Sequence, residues 1–250
     1  MKVTAIIPAR MGSTRYPGKP LAKILGYPMI EHVYRRLKTS SNIAEIIVAT
    51  CDREIQEVAQ GFGARVIMTS DKHTRGTDRV EEAAGNIEAD VVINVQGDEP
   101  LVDPESIDKA IIRMKNDQSV TCINLLSVIK DWDIFVSRDV VKTVVDKNNE
   151  VLYFSRQPIP TQTKEKFRQA LKQIGIYLFR KDFLLEFNSW PETPLEKAEG
   201  VDMMRLLENK HPIATFISKD MISVDTPEDL KSAEKLIHED QLFKKVFHSK

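Results

Sequence analysis

Positive charge is concentrated near the start of the chain, in the stretch AIIPARMGSTRYPGKPL. An apolar, strand-like run leads into Arg10, Arg15 and Lys19, and the stretch contains two glycines and no acidic residue. Cations massed without counter-ions repel one another unless a polyanion lies among them. We therefore predict that this loop binds a triphosphate. The alternative is a basic loop whose long side chains are simply solvated.

Two familiar phosphate-binding patterns are absent from the sequence. Five residues separate Gly12 from Gly18, and Lys19 is followed by Pro20, so the pattern G-x-x-x-x-G-K-[ST] is not met. Because Pro20 lacks an N–H and disfavours helical geometry at Lys19, we expect no helix N-terminus to cradle phosphates there. The dinucleotide pattern is also absent, since the GFG at residues 61–63 ends a predicted helix instead of following a strand.

Two aspartates follow apolar runs elsewhere in the chain. Asp98 comes after VVINV through Gly97, and Asp225 comes directly after the strand-like MISV. Thr226 and the residues after it explain the start of a helix without help, so Asp225 has no capping duty. We predict that Asp98 and Asp225 face each other and share a hard cation such as Mg²⁺. The alternatives are an acid in a turn for Asp98 and an Asx-type turn for Asp225.

Short apolar strands alternate with amphipathic helices over the first half of the chain, which predicts βαβ units and a parallel sheet covered by helices on both faces. Ligands of such sheets bind beyond the carboxyl ends of the strands, where these loops begin. From residue 119 the pattern changes to strand-like pieces broken by turns. We predict a single domain over residues 1–240, with residues 119–190 adding an antiparallel or dimer-forming subdomain. Residues 241–250 are expected to be a terminal tail, either a frayed helix or a partner-binding helix.

Composition limits the classes of partner. The 250 residues carry a net charge of −1, so bulk charge favours neither nucleic acid nor a membrane surface. Two cysteines give no disulfide framework, and no apolar run is long enough for a signal peptide or a membrane span. We therefore expect a cytoplasmic protein. The five histidines and the serines show no nucleophile arrangement.

Six motifs, in this order, resemble one family: PARMGSTRYPGKPL, MTSDKHTRGTDRV, INVQGDEPL, LYFSRQPIP, GIYLFR and VDTPEDL. They are similar to those of the CMP-KDO synthetases, the 3-deoxy-manno-octulosonate cytidylyltransferases, over residues 2–236. The resemblance implies a Rossmann-like nucleotide-diphospho-sugar transferase sandwich with a mixed, mostly parallel sheet. It also implies a Mg²⁺-dependent homodimer that acts in lipopolysaccharide biosynthesis, in which a sugar-acid hydroxyl attacks the α-phosphorus of CTP and releases pyrophosphate.

The resemblance also implies roles for individual residues. The nucleotide-binding positions are Arg10, Ser13, Arg15, Lys19, Gly76, Thr77 and Arg79, with Arg10 and Lys19 also catalytic. The metal-binding and catalytic carboxylates are Asp98 and Asp225. The sugar-acid positions are Gln96, Arg156, Gln173, Tyr177, Asp202 and Met203.

The sugar-acid positions depart from the family at three places. Gln173 stands where the family usually has histidine, and Asp202-Met203 stands where it usually has Glu-Gln. Glutamine cannot become cationic, and methionine cannot form a hydrogen bond of the kind that glutamine forms. The substrate hydroxyls that bind these groups in the family would therefore lose hydrogen bonds here. The pocket either still accepts KDO or accepts a modified acid such as an 8-amino analogue.

Two other classes of protein stay open at this point. A metal-dependent glycosyltransferase would use an Asp-x-Asp pair, whereas Asp98 is followed by Glu99-Pro100. A non-catalytic nucleotide-binding protein would keep the basic loop and lose turnover. Pyrophosphate release from CTP with a panel of sugar acids separates these possibilities.

Overall fold

A nine-stranded mixed sheet forms the centre of the protein in a computed structural model that describes residues 1–12, 16–219 and 221–248. The strands are β1 (Val3–Ala9), β2 (Lys23–Ile24), β3 (Tyr27–Pro28), β4 (Glu45–Thr50), β5 (Arg65–Met68), β6 (Val91–Val95), β7 (Cys122–Ile129), β8 (Lys142–Val145), β9 (Val151–Ser155), β10 (Ala170–Arg180) and β11 (Ala214–Ile217). The main order is β11-β7-β10-β6-β1-β4-β5, β8 and β9 lie off this path, and β2 and β3 pair separately.

Helices cover both faces of this sheet. They are α1 (Met29–Leu37), α2 (Arg53–Gly61), α3 (Gly76–Gly85), α4 (Pro104–Asn116), α5 (Trp132–Val136), α6 (Lys181–Ser189), α7 (Pro194–Glu199), α8 (Met204–Glu208), α9 (Pro227–Glu239) and α10 (Gln241–His248). One apolar core joins α1, α2 and α4 to one face of the sheet, and a second joins α3, α6 and α8 to the other. No helix in the described ranges is long and apolar enough to cross a membrane.

The parallel half of the sheet follows the predicted βαβ pattern. Strand β1 pairs in parallel with β4 and β6, and β4 pairs in parallel with β5. Every residue of β1 and of β6 is buried, as expected for central strands with helices on both sides. The carboxyl ends of β1 and β6 therefore lie side by side, and the loops that leave them share one edge of the sheet.

Antiparallel pairing enters through the long strand β10. It pairs antiparallel with β6, β7 and β8, and β8 forms an antiparallel pair with β9. The predicted fold class is confirmed. Two of the strands that we expected in a subdomain, β7 and β10, lie within the main sheet, since β10 joins β7 to the parallel half.

Three local features differ from the sequence-based expectations. Residues 221–224 form a loop and not a strand; the amide of Val224 donates to the carbonyl of Asp98 (2.9 Å). Strand β9 and helices α5 and α6 were not predicted. The terminal helix α10 is packed and not frayed, because Phe243 stacks on the buried His32 ring with centroids 5.6 Å apart and is itself 5% exposed.

Candidate active site

A cavity of about 280 Å³ opens where β1 and β6 end and α3 begins. This is the edge of the sheet at which parallel α/β proteins bind ligands. The predicted site residues that line it are Arg10, Lys19, Gly76, Arg79, Gln96, Asp98 and Asp225. Segments far apart in the chain therefore meet in one pocket.

Lys19 joins the two predicted aspartates. Its ammonium nitrogen lies 2.6 Å from Oδ2 of Asp98 and 3.1 Å from Oδ1 of Asp225. Burial alone would lower the pKa of Lys19, but the charges and hydrogen bonds of the two carboxylates outweigh it and raise that pKa above its usual value. The predicted meeting of Asp98 and Asp225 is thus present, with a cation held between them.

A short 3-10 turn positions this lysine. It spans Lys19–Leu21, with Pro20 near its start and Gly18 before it at a φ of 71°. A positive φ favours glycine, which explains Gly18 in the loop. We expected Pro20 to keep Lys19 out of helical geometry, and this was wrong for a 3-10 turn, whose first residues need no N–H partner. The turn has three residues and is not a phosphate-binding helix.

The basic wall of the cavity is formed by Arg10 and Arg79. Arg79 is 2% exposed and donates through Nη1 to the hydroxyl of Thr69. Its Nη2 is buried and has no hydrogen-bond partner among the described residues. The guanidinium of Arg10 is 3.5 Å from the carbonyl oxygen of His73. The predicted phosphate ligands Ser13 and Arg15 lie outside the described residues.

Gln96 is held between two glycines. A Cβ on Gly76 would lie 2.8 Å from its Nε2, and a Cβ on Gly175 would lie 2.6 Å from its Cγ. Side chains at either position would collide with Gln96, so the close approach requires glycine. The sequence motif GIYLFR begins at Gly175, yet we did not predict a role for it. Gly175 supports the position of Gln96 in the wall of the cavity.

A row of polar groups runs from Gln96 into the protein. Gln96 donates to Asn94 (3.3 Å), Asn94 donates to the hydroxyl of Thr77 (3.5 Å), and Thr77 donates to Asp202 (2.6 Å). Tyr177 pairs with Asn94 across β6 and β10. Burial raises the pKa of Asp202, and burial together with Asp202 raises the pKa of Tyr177. The predicted Thr77, Gln96 and Asp202 therefore belong to one hydrogen-bonded network, and Asn94 is a member that we missed. Tyr177 lies beside Asn94 in the sheet, and its side chain packs in the apolar core.

The remaining sugar-acid positions lie away from the cavity lining. Met203 is fully buried in the apolar core beneath α8, so its side chain packs with hydrophobic neighbours. The side-chain nitrogen of Gln173 is buried with no hydrogen-bond partner among the described residues. Arg156 follows β9, and its Nε donates to the carbonyl of Glu199 (3.0 Å). Glu199 precedes Asp202, a member of the polar network, by three residues in the chain.

The geometry fits a divalent metal that is shared with a nucleotide. Magnesium in nucleotide sites usually takes one or two carboxylates and completes its shell with phosphate oxygens and water. Asp98 and Asp225, brought to within 3.1 Å of one nitrogen, supply such a pair. In the parts of the chain that the structure describes, no group of three or more His, Cys, Asp or Glu side chains could hold a metal alone.

Some residues near the cavity were not predicted. Arg75 and His73 line it and belong to the motif from which we selected only Gly76, Thr77 and Arg79. Arg75 pairs with Glu196, which Arg205 also binds (2.6 Å). Burial would raise the pKa of Glu196, but hydrogen bonds from Arg205 and a main-chain amide hold it below its usual value. The carboxylate thereby ties the start of α3 to α7 and α8.

Glu99 was also missed as a structural part of the site. It is 2% exposed and accepts hydrogen bonds from the Ser223 hydroxyl (2.5 Å) and the Gly175 amide (3.3 Å). Burial, with the neighbouring charge of Asp98, raises its pKa to about 7. Its position explains why the motif reads Asp-Glu: the glutamate links the β6 loop to β10 and to the loop before Asp225.

Comparisons with known proteins show the family of the chain. The cytidylyltransferase family model matches residues 4–221. A 3-deoxy-manno-octulosonate cytidylyltransferase of Geobacter metallireducens is 46% identical, covering 94% of this chain and 98% of the relative; that of Geobacter sulfurreducens is 45% identical, covering 94% and 100%. The structure of a CMP:2-keto-3-deoxy-manno-octonic acid synthetase complexed with CTP superposes with a TM-score of 0.89 at 38% identity, covering 96% of this chain and 99% of that one. The resemblance of the six motifs is confirmed, and the chain belongs to the cytidylyltransferase family, among the 3-deoxy-manno-octulosonate cytidylyltransferases.

Proposed function

We propose that this enzyme couples CTP to 3-deoxy-manno-octulosonate (KDO), forming CMP-KDO and pyrophosphate. The observation that carries the proposal is the contact of Lys19 with Asp98 and Asp225 in a cavity that Arg10 and Arg79 also line. A cation site and an anion site within one pocket suit a metal-bound triphosphate. The 46% identical relative carries the same named activity.

The reaction needs positioning and charge neutralisation more than covalent chemistry by the protein. A sugar-acid hydroxyl attacks the α-phosphorus in line, and the bond to the pyrophosphate oxygen breaks. In this proposal Arg10, Arg15 and Lys19 neutralise the departing pyrophosphate, with Ser13 adding a hydrogen bond. Arg79, Gly76 and Thr77 hold the nucleotide at the start of α3. Nη2 of Arg79, which has no described protein partner, supports a contact with the nucleotide.

The proposed metal ion is Mg²⁺, and Asp98 and Asp225 would hold it. When bound, such an ion lowers the pKa of the attacking hydroxyl and shields it from the anionic phosphate. Lys19 contacts one oxygen of each carboxylate, and in this proposal the ion takes the place of the ammonium between them. The freed ammonium then becomes available to the phosphates, which are the other anions expected in the pocket.

The sugar acid is proposed to bind toward β10. Gln96 and Tyr177 would contact its hydroxyls, with Asp202 at the far end of the same network and Arg156 facing the carboxylate. Gln173 supplies a neutral amide where a histidine is usual, and the buried Met203 supplies no polar group. A modified acid, such as an 8-amino analogue, is the second candidate substrate, favoured by these two positions.

The direct experiment mixes the purified protein with CTP, Mg²⁺ and KDO, and detects the product by mass spectrometry together with released pyrophosphate. The proposal expects CMP-KDO in amounts equal to the pyrophosphate. An 8-amino analogue tested in parallel ranks the two acids by kcat/KM. Cleavage of a CMP- or UDP-sugar without CTP turnover would instead indicate a glycosyltransferase. CTP binding without pyrophosphate release from any acid would indicate a non-catalytic nucleotide-binding protein.

The enzyme is further proposed to act as a homodimer in the cytoplasm, in lipopolysaccharide biosynthesis. Cys51 and Cys122 are free thiols, as suits a reducing compartment. Leu152 on β9 is 60% exposed, and Ile134 and Val136 on α5 are 42% and 39% exposed, which supports a second copy packing on this segment. Sedimentation of the wild type and of Leu152→Asp tests this: the dimer account expects a dimer that the substitution weakens, and a wild-type monomer would contradict it.

A further inference from the structure

A fully buried lysine lies outside the cavity, at the first residue of β8. Lys142 is fully buried, and its ammonium donates three hydrogen bonds to main-chain oxygens. The acceptors are the carbonyls of Ser137 (2.6 Å), Val140 (2.7 Å) and Arg156 (2.6 Å). Three acceptors match the three donors of an ammonium group. Lys142 therefore fixes the loop between α5 and β8 to the end of β9.

The same loop holds the side chain of Arg156. The Nη1 group of Arg156 donates to the carbonyls of Arg138 (3.1 Å) and Asp139 (3.3 Å), which lie between the two loop carbonyls that Lys142 holds. The amide of Arg156 donates to the carboxylate of Glu199 (2.9 Å), and its Nε donates to the carbonyl of Glu199 (3.0 Å). Glu199 thus holds both the main chain and the guanidinium of Arg156, and the loop carbonyls hold the guanidinium from a second segment.

The guanidinium keeps donors for a ligand. Of its five N–H groups, those on Nε and Nη1 have described partners, whereas the described residues accept no hydrogen bond from Nη2. Arg156 is only partly buried, so Nη2 is accessible to an anion. A guanidinium fixed in advance loses less freedom when it binds a carboxylate than a mobile one does.

We propose that Lys142 is a positioning residue that fixes Arg156 for the carboxylate of the sugar-acid substrate. It acts on the carbonyl of Arg156 directly and on the guanidinium through the carbonyls of residues 138 and 139. The inference rests on the proposed function for the identity of the ligand, and on the geometry alone for the fixed loop. Lys142 itself is fully buried and contacts no substrate.

The first experiment compares the wild type with Lys142→Met, which keeps the length of the side chain and removes the ammonium. The KM for KDO is expected to rise about tenfold, whereas the KM for CTP and kcat stay within about twofold, because only the carboxylate-binding arginine is misplaced. Lys142→Gln keeps two donors and is expected to give a smaller rise. It carries the test if the methionine variant does not fold.

Lys181→Met is the matched control. The ammonium of Lys181 also donates to a main-chain carbonyl, that of Ile87 (2.6 Å), but it makes no hydrogen bond to the 137–140 loop or to Arg156. This variant should keep the wild-type KM for KDO. The proposal would be overturned if the KM for KDO rises in neither Lys142 variant. It would also be overturned if the KM for CTP rises and kcat falls by the same factor as the KM for KDO rises.

The second experiment needs no activity. Amide hydrogen exchange of residues 137–140 is expected to become faster in Lys142→Met than in the wild type, and to be unchanged in Lys181→Met. If the wild type forms no CMP-KDO, the proposed function fails while the exchange result still decides whether Lys142 fixes the loop. Exchange of residues 137–140 that is as slow in Lys142→Met as in the wild type would contradict the positioning role even in an active enzyme.

Discussion

Two lysines in this protein, the partly buried Lys19 and the fully buried Lys142, have opposite surroundings. We call Lys19, Asp98 and Asp225 the reacting end, and Lys142, Arg156 and Glu199 the anchor cluster. Lys19 contacts two carboxylates, and its pKa is raised. Lys142 contacts three neutral carbonyls, and burial with the charge of Arg156 lowers its pKa to about 8 against the attraction of Glu199.

This difference in surroundings indicates that the two lysines have different roles. The carboxylates of the reacting end attract any cation, so an ion can replace the ammonium and leave both carboxylates paired. Main-chain carbonyls are fixed dipoles, and removing the ammonium would leave three of them without a donor. We therefore infer that a metal ion can replace the ammonium at the reacting end, whereas the anchor cluster keeps the ammonium of Lys142 and one geometry.

The largest effect is expected from the carboxylates of the reacting end. Asp98→Asn and Asp225→Asn should each lower kcat by about 10³-fold or more, because each removes a negative oxygen ligand from the proposed metal. Steady-state rates with circular dichroism measure loss of activity and retention of fold. Asp182→Asn, at an exposed position on α6, is the control and should be silent. A rate near that of the wild type in either site variant would refute shared coordination.

The next effect is expected from the lysine of the reacting end. Lys19→Met should lower kcat by about 10²-fold, since a cation that neutralises the departing pyrophosphate is lost. Lys23→Met, four residues later and exposed, serves as the control in the same assay. Equal rates for the two variants would mean that the cation of Lys19 takes no part in catalysis.

The anchor cluster is expected to make the free energy of unfolding depend on pH. The pKa of Lys142 falls from 10.5 in the unfolded chain to about 8 in the fold. The unfolded state therefore binds more protons between pH 8 and pH 10.5, so the free energy of unfolding rises with pH across that window. From pH 8 to pH 10 the wild type should gain about 2 kcal/mol relative to Lys142→Met.

Urea unfolding at pH 8, 9 and 10 measures this gain. Lys181→Met is the control, because it leaves Lys142 and its three carbonyl acceptors in place and should keep the rise seen in the wild type. A stability difference between wild type and Lys142→Met that is flat over the window would mean that Lys142 titrates as an ordinary lysine. The contrast between the two lysines would then not hold.

The smallest effect is expected from a steric change at the glycine that supports Gln96. Gly175→Ala places a Cβ 2.6 Å from Cγ of Gln96, so the glutamine must move. The kcat/KM for KDO should fall about fivefold, which corresponds to about 1 kcal/mol of overpacking. Gly85→Ala is the matched control, because its Cβ would meet no atom within 4 Å. An unchanged kcat/KM in Gly175→Ala would show that the position of Gln96 is not critical.

The reacting end could be predicted from the sequence because its signals are local. Asp98 follows a buried strand through a glycine, and Lys19 lies in a loop that holds cations without acids. Strand ends of a parallel sheet meet at one edge, so topology brings the loops of Lys19 and Asp98 together. Asp225 follows a loop and not the strand that we expected, so its position rests on tertiary contacts. The same reasoning gave the alternation of strands and helices, including the capped start of α9 at Thr226.

The anchor cluster could not be predicted in this way. In the run DVVKTVV, Lys142 has the pattern of a residue on the solvent face of a strand. Its burial depends on the 137–140 loop and on the end of β9, which come from other parts of the chain. The packing of Phe243 on His32 escaped prediction for the same reason, because both the contact and the partner are tertiary. The burial of Met203 was also missed. It aligns with a family position that is usually polar, and the alignment does not reveal that its side chain lies in the core.

The most direct test of the exchange of charge at the reacting end is the affinity of the nucleotide-free protein for Mn²⁺, measured by electron paramagnetic resonance. If Lys19 competes with a divalent ion for Asp98 and Asp225, Lys19→Met should bind Mn²⁺ about tenfold more tightly than the wild type, a gain of about 1.4 kcal/mol. Lys23→Met should bind as the wild type does. Equal or weaker binding by Lys19→Met would contradict the account.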